Sequence, residues 1–334
     1  MAKAIDWDSR IGRRIRLRDL HILFAVIQHG SMAKAGAHLN MSQSAVSQAV
    51  AAIEHTLGVR LLDRSSRGVE ATIYGSALLR RGQAAFDELR TGVNEIENLA
   101  DPSAGEVRIA CGEVTSAGVL PHIIERLFRK YPRVRLDVTD VAGAGDYSLL
   151  LQRKVDVGLS LTVKPLEREM AKDFDTEILY RDRFCLAVGA QSPWARRRKI
   201  DLAELVGQKF VMPAFDAPGP AAIRAAFDAH GLPPPSVAVT TYSVHLRNLL
   251  GMGGHFIVAL PASVMELYAD TFALKLLPVA LPGADLPLAI VRLKNRTLSP
   301  TVELFLECAR EVTRSLAAAP ETRKAAGSPS KRKN

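Results

Sequence analysis

Gln43, Ser44, Ser47 and Gln48 fall within six consecutive positions, spaced so that a helix would turn all four side chains to one side. Glutamine carries both a donor and an acceptor and can pair with the adenine edge in the major groove, and serine can serve either base edge. None of the four is bulky, so a helix carrying them can sit deep in that groove. Shortly downstream, Arg60, Arg64, Ser65, Ser66, Arg67 and Gly68 make a flexible basic loop. Such a loop suits phosphates, the contacts that position a protein on a duplex without specifying sequence. Ser42 and Thr72, which flank the two segments, join Arg60, Arg64, Ser65 and Arg67 as phosphate candidates.

These side chains need a rigid support, and the surrounding residues predict one. Ser31 is a candidate N-cap, and Met32, Ala35, Gly36 and Leu39 follow at helical spacing. Asn40, Met41 and Ser42 predict a turn, since asparagine tolerates left-handed φ and serine can cap the next helix. That helix runs from Gln43 to about Leu57, with Ala45, Val46, Ala49, Val50, Ile53 and Leu57 as its inward stripe and Gly58 as its stop. Upstream, Leu17, Leu20, Phe24 and Ile27 predict an amphipathic helix that floors the unit. A helical hairpin in any α-rich domain would show the same spacing. The polar outer face and the basic loop favour DNA.

The charge agrees with a polyanionic partner. The 334-residue chain carries a formal net charge of +9, and residues 1–82 hold twelve Lys or Arg against six Asp or Glu. Its length predicts two domains or slightly more. Hydrophobic residues at 48% and charged residues at 24% match an ordinary soluble protein. No apolar run is long enough for a membrane span, and the mixed charges of the first eighteen residues lack an apolar signal core, so a cytoplasmic protein is expected. Cys111, Cys185 and Cys308 are odd in number and far apart, with no metal-ligand spacing, and read as small buried hydrophobes. No metal or other cofactor is expected.

Leu79, Gly82, Phe86, Leu89, Val93, Ile96 and Ala100 recur at steps of three and four, an a/d seam over three heptads. A seam this narrow needs a partner helix, supplied by a second copy or by a bundle within the chain. Asp101-Pro102-Ser103-Ala104-Gly105 then breaks the helix.

From Glu106 short apolar strands alternate with helices. Strands are expected at 106–112, 135–141 and 156–161, with helices at 119–131 and 146–154 between them, a βαβαβ order that builds a parallel sheet. A second set follows: strands at 184–188, 209–212, 237–241 and 256–260, and helices at 202–205, 221–230 and 244–250. A last strand at 288–292 and a helix at 301–316 close the chain. Ligands bind where strands end and helices begin, at the switch between halves. That rule selects Thr115 and Ser116 after the first strand, Thr162 after the third, and Pro213 and Ser243 across the cleft. Hydroxyls and free N–H groups after Cys111 suit a carboxylate or another anion, whereas Glu113, if it points inward, disfavours one. For Thr115 and Ser243 plain helix capping is an equal reading. Gly251-Met252-Gly253-Gly254 follows a helix and precedes a strand, the reverse of a dinucleotide loop. There is no nucleophile elbow, Walker loop or paired-carboxylate motif, so an enzyme is not expected.

The run Ala35-Gly36-Ala37-His38-Leu39, Ser42-Gln43-Ser44-Ala45-Val46-Ser47-Gln48, Ile53-Glu54 and Leu57-Gly58-Val59-Arg60-Leu61-Leu62-Asp63-Arg64 resembles the N-terminal domain of LysR-type transcriptional regulators. Gly36 stands for an alanine of that pattern, Ser44 for a proline, Leu62 for a phenylalanine, and Ala71-Thr72-Ile73-Tyr74-Gly75 for a Leu-Thr-x-x-Gly. Leu120-Pro121, Tyr131-Pro132, Val155-Asp156-Val157-Gly158-Leu159 and Leu250 to Gly254 resemble the effector domain of the same family, itself similar to periplasmic solute-binding proteins. The resemblance implies an α + α/β chain: a winged helix-turn-helix domain at 15–75, a dimerising linker helix and hinge at 76–104 and a two-lobed effector domain at 105–316; the composition of 317–334, rich in Ala, Pro, Ser, Lys and Arg, predicts a disordered basic tail. It implies double-stranded DNA, a small-molecule effector and a second copy of the chain as partners, a homotetramer built from dimers, and RNA polymerase as a further partner. A solute-binding protein without regulatory role is the alternative.

Overall fold

The structure, a computed structural model, describes residues 15–65, 68–100, 104–141, 147–161, 172–283 and 285–318, apart from a few side chains near the ends of two helices. Arg67, Thr162 and the tail beyond Ala318 lie outside the described residues. The chain forms two compact units, one up to Arg90 and one from Thr91 onwards.

The first unit contains α1 (Leu17–His29), α2 (Met32–Leu39), α3 (Gln43–Leu57), the strands β1 (Leu62–Ser65) and β2 (Gly68–Ala71), and the start of α4 (Ile73–Ala100). Its punctuation follows local chemistry. The Ser31 hydroxyl accepts from the Lys34 N–H at 3.4 Å and starts α2. Asn40, with φ 54°, turns the chain out of α2 in the left-handed region, and Gly58, with φ 70°, does so after α3. Val46, Val50 and Ile53 of α3 pack with Met32 and Ala35 of α2 and Ile22, Leu23 and Val26 of α1 into a closed core.

Helix α1 departs from its expected phasing. Its fully buried residues are Ile22, Leu23, Ala25 and Val26, while Leu17 is exposed. The cause is that α1 is covered on two sides. One face packs on α2 and α3, and Phe24 turns the other way, its ring 5.8 Å from that of Phe86 in α4. Gly82 lies against the same phenylalanine: a Cβ there would come within 2.3 Å of the Phe24 ring. The expected seam of α4 therefore divides. Gly82 and Phe86 serve the fold of their own domain, while Leu89, Val93 and Ile96 stand 52%, 55% and 69% exposed.

The start of α4 is pinned to the loop before β1. The Thr72 hydroxyl donates to the Arg60 carbonyl at 2.9 Å and accepts from the Gly75 N–H at 3.1 Å. Gly75 is there because nothing larger fits: a Cβ would lie 2.1 Å from the Leu61 carbonyl oxygen. Gly75→Ala is expected to lower stability by about 3 kcal/mol, the upper end for overpacking because the obstacle is backbone. Chemical denaturation of the full chain measures it, and an unchanged midpoint would contradict the packing described.

The second unit is an α/β body of two lobes. The first lobe holds β3 (Ala104–Cys111), α5 (Glu113–Ala117), α6 (Val119–Lys130), β4 (Arg133–Asp140), α7 (Ser148–Leu151) and β5 (Val157–Leu161), with β3 parallel to both β4 and β5. The second holds β7 (Lys209–Met212), α8 (Pro218–Ala229), β8 (Ser236–Thr240), α9 (Val244–Met252), β9 (Ile257–Pro261), α10 (Ala262–Tyr268) and β10 (Leu274–Leu276), with β7 parallel to β8 and β9. Two long strands join them, β6 (Phe174–Gly189) and β11 (Asp285–Leu293). Phe174–Arg183 of β6 pair antiparallel with β11, and Phe184 onward pairs with β9. The closing helix α11 (Pro300–Ala318) packs on α6 and β3 and is tied by the Arg310–Glu177 ion pair at 2.7 Å.

Four features depart from expectation. Strand β6 begins ten residues earlier than the apolar run at 184–188, because its first half is largely exposed between Phe174 and Asp182 and carries Asp175, Glu177 and Arg181, so no apolar run marks it. Helices α5 and α10 and strand β10 are too short for a periodicity to reveal. Residues 202–205 form a 3₁₀ turn rather than an α-helix. Helix α11 continues to Ala318, two residues into the segment expected to be a disordered tail.

Candidate nucleic-acid interface and inter-lobe cavity

Helix α3 presents its first two turns outward. Ser42, Gln43, Ser44 and Gln48 are exposed and Ser47 is half-covered, so the four base-reading candidates share one accessible face. Ser42 is also structural, its hydroxyl accepting from the Ala45 N–H at 3.2 Å and lying 3.0 Å from the Ser44 hydroxyl. Ser44 is the second residue of the helix, where the backbone N–H has no intrahelical acceptor. Serine and proline are thus both compatible with the backbone here, and the departure from the family pattern changes what faces outward. Ala51 and His55 continue the exposed face one and two turns further along α3. His55 lies outside the sequence-derived candidates, because nothing in its position beyond the polar cluster signals it.

The basic loop is a β-hairpin. Strands β1 and β2 pair antiparallel from Leu62 opposite Ala71 to Ser65 opposite Gly68, forming a wing. Arg60, Arg64 and Ser65 are exposed. Two side chains anchor the wing at its base. The Glu54 carboxylate accepts from the N–H groups of Leu61 at 2.7 Å and Leu62 at 3.2 Å. Thr72 holds the other side, and its hydroxyl proton is directed at the Arg60 carbonyl. Among the phosphate candidates Thr72 is therefore corrected to a structural residue, since both roles of its hydroxyl are taken within the protein. Val69 adds a backbone bond to the Gly30 carbonyl at 2.9 Å, fixing the wing to the end of α1.

The second unit holds a cavity of about 70 Å³ between its lobes. Gly112 to Thr115, Ser160, Leu161 and Leu286 line one side, and Phe184, Pro213, Ala217 to Pro220 and Tyr242 the other. Of the expected contacts, Thr115 and Pro213 line this cavity. Ser116 and Ser243 do not, because their hydroxyls have other work. The Ser116 hydroxyl donates to the Glu113 carbonyl at 3.0 Å, and the Ser243 hydroxyl caps α9 by accepting from the Leu246 N–H at 3.2 Å. The N–H groups of Thr115 and Ser116, expected to be free for an anion, both donate to the Gly112 carbonyl. Ser160, Tyr242, Phe184 and Leu286 join the lining without a signal in the sequence. Ser160 sits in a strand that reads as pure core, and the others come from segments far apart in the chain.

Glu113 points into this region. The residue lines the cavity, and its carboxylate accepts from the Val244 N–H at 2.5 Å, a bond from the first lobe to the head of α9 in the second. Behind that contact lies Arg247, fully buried. Its guanidinium donates to the carbonyls of Ala259 at 2.6 Å, Tyr242 at 3.2 Å and Ser243 at 3.4 Å. Burial pushes Arg247 down to about 10 while the Glu113 charge opposes the shift, so it remains a cation near neutral pH. The three cysteines are free, and burial pushes Cys111 and Cys185 up to about 12, so both are protonated thiols near neutral pH. The Gly251 to Gly254 run spans the end of α9 and the start of its turn into β9, with Gly251 packed on Val258 and Leu274. No helix is long and apolar enough to cross a membrane among the described residues.

Comparison with known proteins agrees with this division. A family model described as the LysR substrate binding domain matches residues 100–314, and one described as a bacterial regulatory helix-turn-helix protein of the lysR family matches residues 17–76. The uncharacterized HTH-type transcriptional regulator YfeR of Shigella flexneri is 28% identical over 320 residues, covering 91% of this chain and 96% of its own. The HTH-type transcriptional regulator GbpR of Azospirillum brasilense is 25% identical over 300 residues, covering 89% and 86%. Among solved structures, a full-length point variant of OxyR from Pseudomonas aeruginosa superposes with a TM-score of 0.63 at 18% identity, covering 88% of this chain and 97% of that one.

Proposed function

Because the chain belongs to the LysR family of transcriptional regulators, a DNA-binding regulator modulated by a small-molecule effector, we propose the following division of labour. Gln43, Ser44, Ser47 and Gln48 read bases in the major groove, and Arg60, Arg64, Ser65 and Arg67, with Ser42 at the helix start, hold phosphates. The observation that carries this is the single exposed polar face on the first turns of α3, beside an arginine-bearing wing held in place by Glu54 and Thr72. Two copies join through Leu89, Val93 and Ile96 of α4, three apolar side chains at seam spacing that stand more than half exposed among the described residues. Pairs of such dimers would form the tetramer that the family resemblance implies, acting in the cytoplasm with RNA polymerase as a further partner. The effector occupies the inter-lobe cavity, and its contact with both lobes would bias how they sit and so how the dimer holds DNA. A solute-binding role without regulation is not favoured, since it leaves the exposed α3 face unexplained.

A gel-shift titration on the chain's own upstream region tests the reading. A retarded band is expected at low salt, weakening as salt rises. Arg64→Ala is expected to reduce the slope of log affinity against log salt by about 2 for a dimer, one phosphate contact per subunit, and to weaken all sequences alike. No band from folded protein at low salt would sink the proposal, and an unchanged slope would remove Arg64 from it.

A further inference from the structure

The described lining of the inter-lobe cavity offers an anion no side-chain charge to hold it. Among the described residues, no Lys or Arg side chain lines it, and the one charged group that does is Glu113. The nearby cation, Arg247, is fully buried, with its guanidinium donating to three backbone carbonyls. Helix α8 begins at the cavity wall, but Pro218 and Pro220 occupy its first and third positions and remove two of the N–H groups that an anion would use. The flanking N–H groups of Ala217 and Ala221 already donate to Ala214 and Ala217. Between the prolines, Gly219 is covered by Phe184, whose ring would lie 2.2 Å from a Cβ at that position.

What the cavity does offer is acceptors. The Thr115 residue is 2% exposed, and its hydroxyl has no hydrogen-bond partner among the described residues while the residue lines the cavity. Glu113 spends one carboxylate oxygen on the Val244 N–H, and the other has no hydrogen-bond partner among the described residues. A ligand donor that meets these oxygens gains a hydrogen bond within a mainly apolar lining. An amine is disfavoured in turn, since Val114, Leu161, Phe184, Leu286 and the prolines would strip a cation of water while one Glu113 oxygen is already engaged with the Val244 N–H.

Taking the inter-lobe cavity as the effector site, we propose that its ligand is a small, uncharged, mainly apolar molecule bearing a hydroxyl. That hydroxyl donates to the free Glu113 oxygen and meets the Thr115 hydroxyl, and carboxylates are excluded.

The test uses full-length protein and probes of one carbon skeleton in three charge states: benzyl alcohol, benzoate and benzylamine, with isobutanol, isobutyrate and isobutylamine as a smaller set. Methyl NMR of Val114, Leu161 and Leu286 reports binding at the cavity itself. The alcohols are expected to move these methyls with at least tenfold tighter apparent affinity than the matching carboxylates and amines. Thr115→Val, which keeps the shape and removes the hydroxyl, is expected to weaken the alcohols by about tenfold, the worth of one hydrogen bond, with Thr115→Ser retaining most of the affinity. Tighter binding of a carboxylate or an amine at these methyls would overturn the assigned class and leave the cavity as effector site. If no probe of any charge moves them, the effector-site reading fails and the assignment with it.

Discussion

Val93→Asp combined with Ile96→Asp is expected to yield a protein that stays folded, sediments as a monomer and loses at least about a hundredfold in affinity for its operator. Both side chains stand more than half exposed, on the part of α4 beyond Gly82 and Phe86, which are occupied by Phe24. Because they are more than half exposed among the described residues, aspartate there costs the chain's own fold little. In a seam between two copies the same aspartates would bury like charges against each other, which costs several kcal/mol. Operator affinity falls further because two linked reading helices bind as one unit, and a lone domain keeps only one half-site. Sedimentation velocity and a gel shift on the same preparation measure the two effects. A double variant that remains dimeric would show that the seam lies elsewhere. One that becomes monomeric yet binds DNA as before would remove dimerisation from the mechanism.

Gln43→Ala combined with Ser47→Ala is expected to cost about 10- to 100-fold in affinity for the operator while leaving binding to unrelated DNA unchanged. Removing the hydrogen bonds to one base edge costs about 1–3 kcal/mol of discrimination, whereas non-specific affinity comes from phosphates. The fold should tolerate the change, since neither side chain caps the helix and alanine favours it. Ser42→Ala is the contrasting variant. It removes the cap of α3 and is expected to lower stability by about 1 kcal/mol before it affects sequence choice. Equal losses on operator and unrelated DNA would place Gln43 and Ser47 among the positioning residues instead of the reading ones.

Helices α2 and α3 were legible in the sequence because each of their boundaries rests on one residue with a local job. Ser31, Asn40, Ser42 and Gly58 each act through their own backbone or the next turn, and each takes the expected conformation. Glu54 was visible only as part of a family pattern, since its partners Leu61 and Leu62 lie beyond the helix it belongs to. The seam of α4 was legible as a period, but not its division, because the pattern cannot tell that Phe24 would cover half of it. Gly36 has a reason that only the turn reveals, as a Cβ there would lie 2.7 Å from the Met41 carbonyl.

The effector region was legible in part. The rule that ligands sit at strand ends found Thr115 and Pro213, which line the cavity. It could not tell a hydroxyl facing the cavity from one that caps a helix, as at Ser243, because both residues sit at the same kind of junction. Nor could it see that Glu113 spans the lobes to Val244, a contact between positions 131 residues apart. Charge in that site is decided by which backbone groups are already paired, and pairing is a property of the folded chain.

If two copies of α3, fixed by α4, read a two-fold related DNA site, the full-length protein will reveal that symmetry in the sequences it chooses. Selection from a pool of random-sequence duplexes tests this most directly. The expected product is an inverted repeat whose half-sites are centred about 10–10.5 bp apart or a multiple of that, the spacing that places both on one face of the duplex. Enrichment of an isolated half-site, or none above the starting pool at low salt, would contradict it.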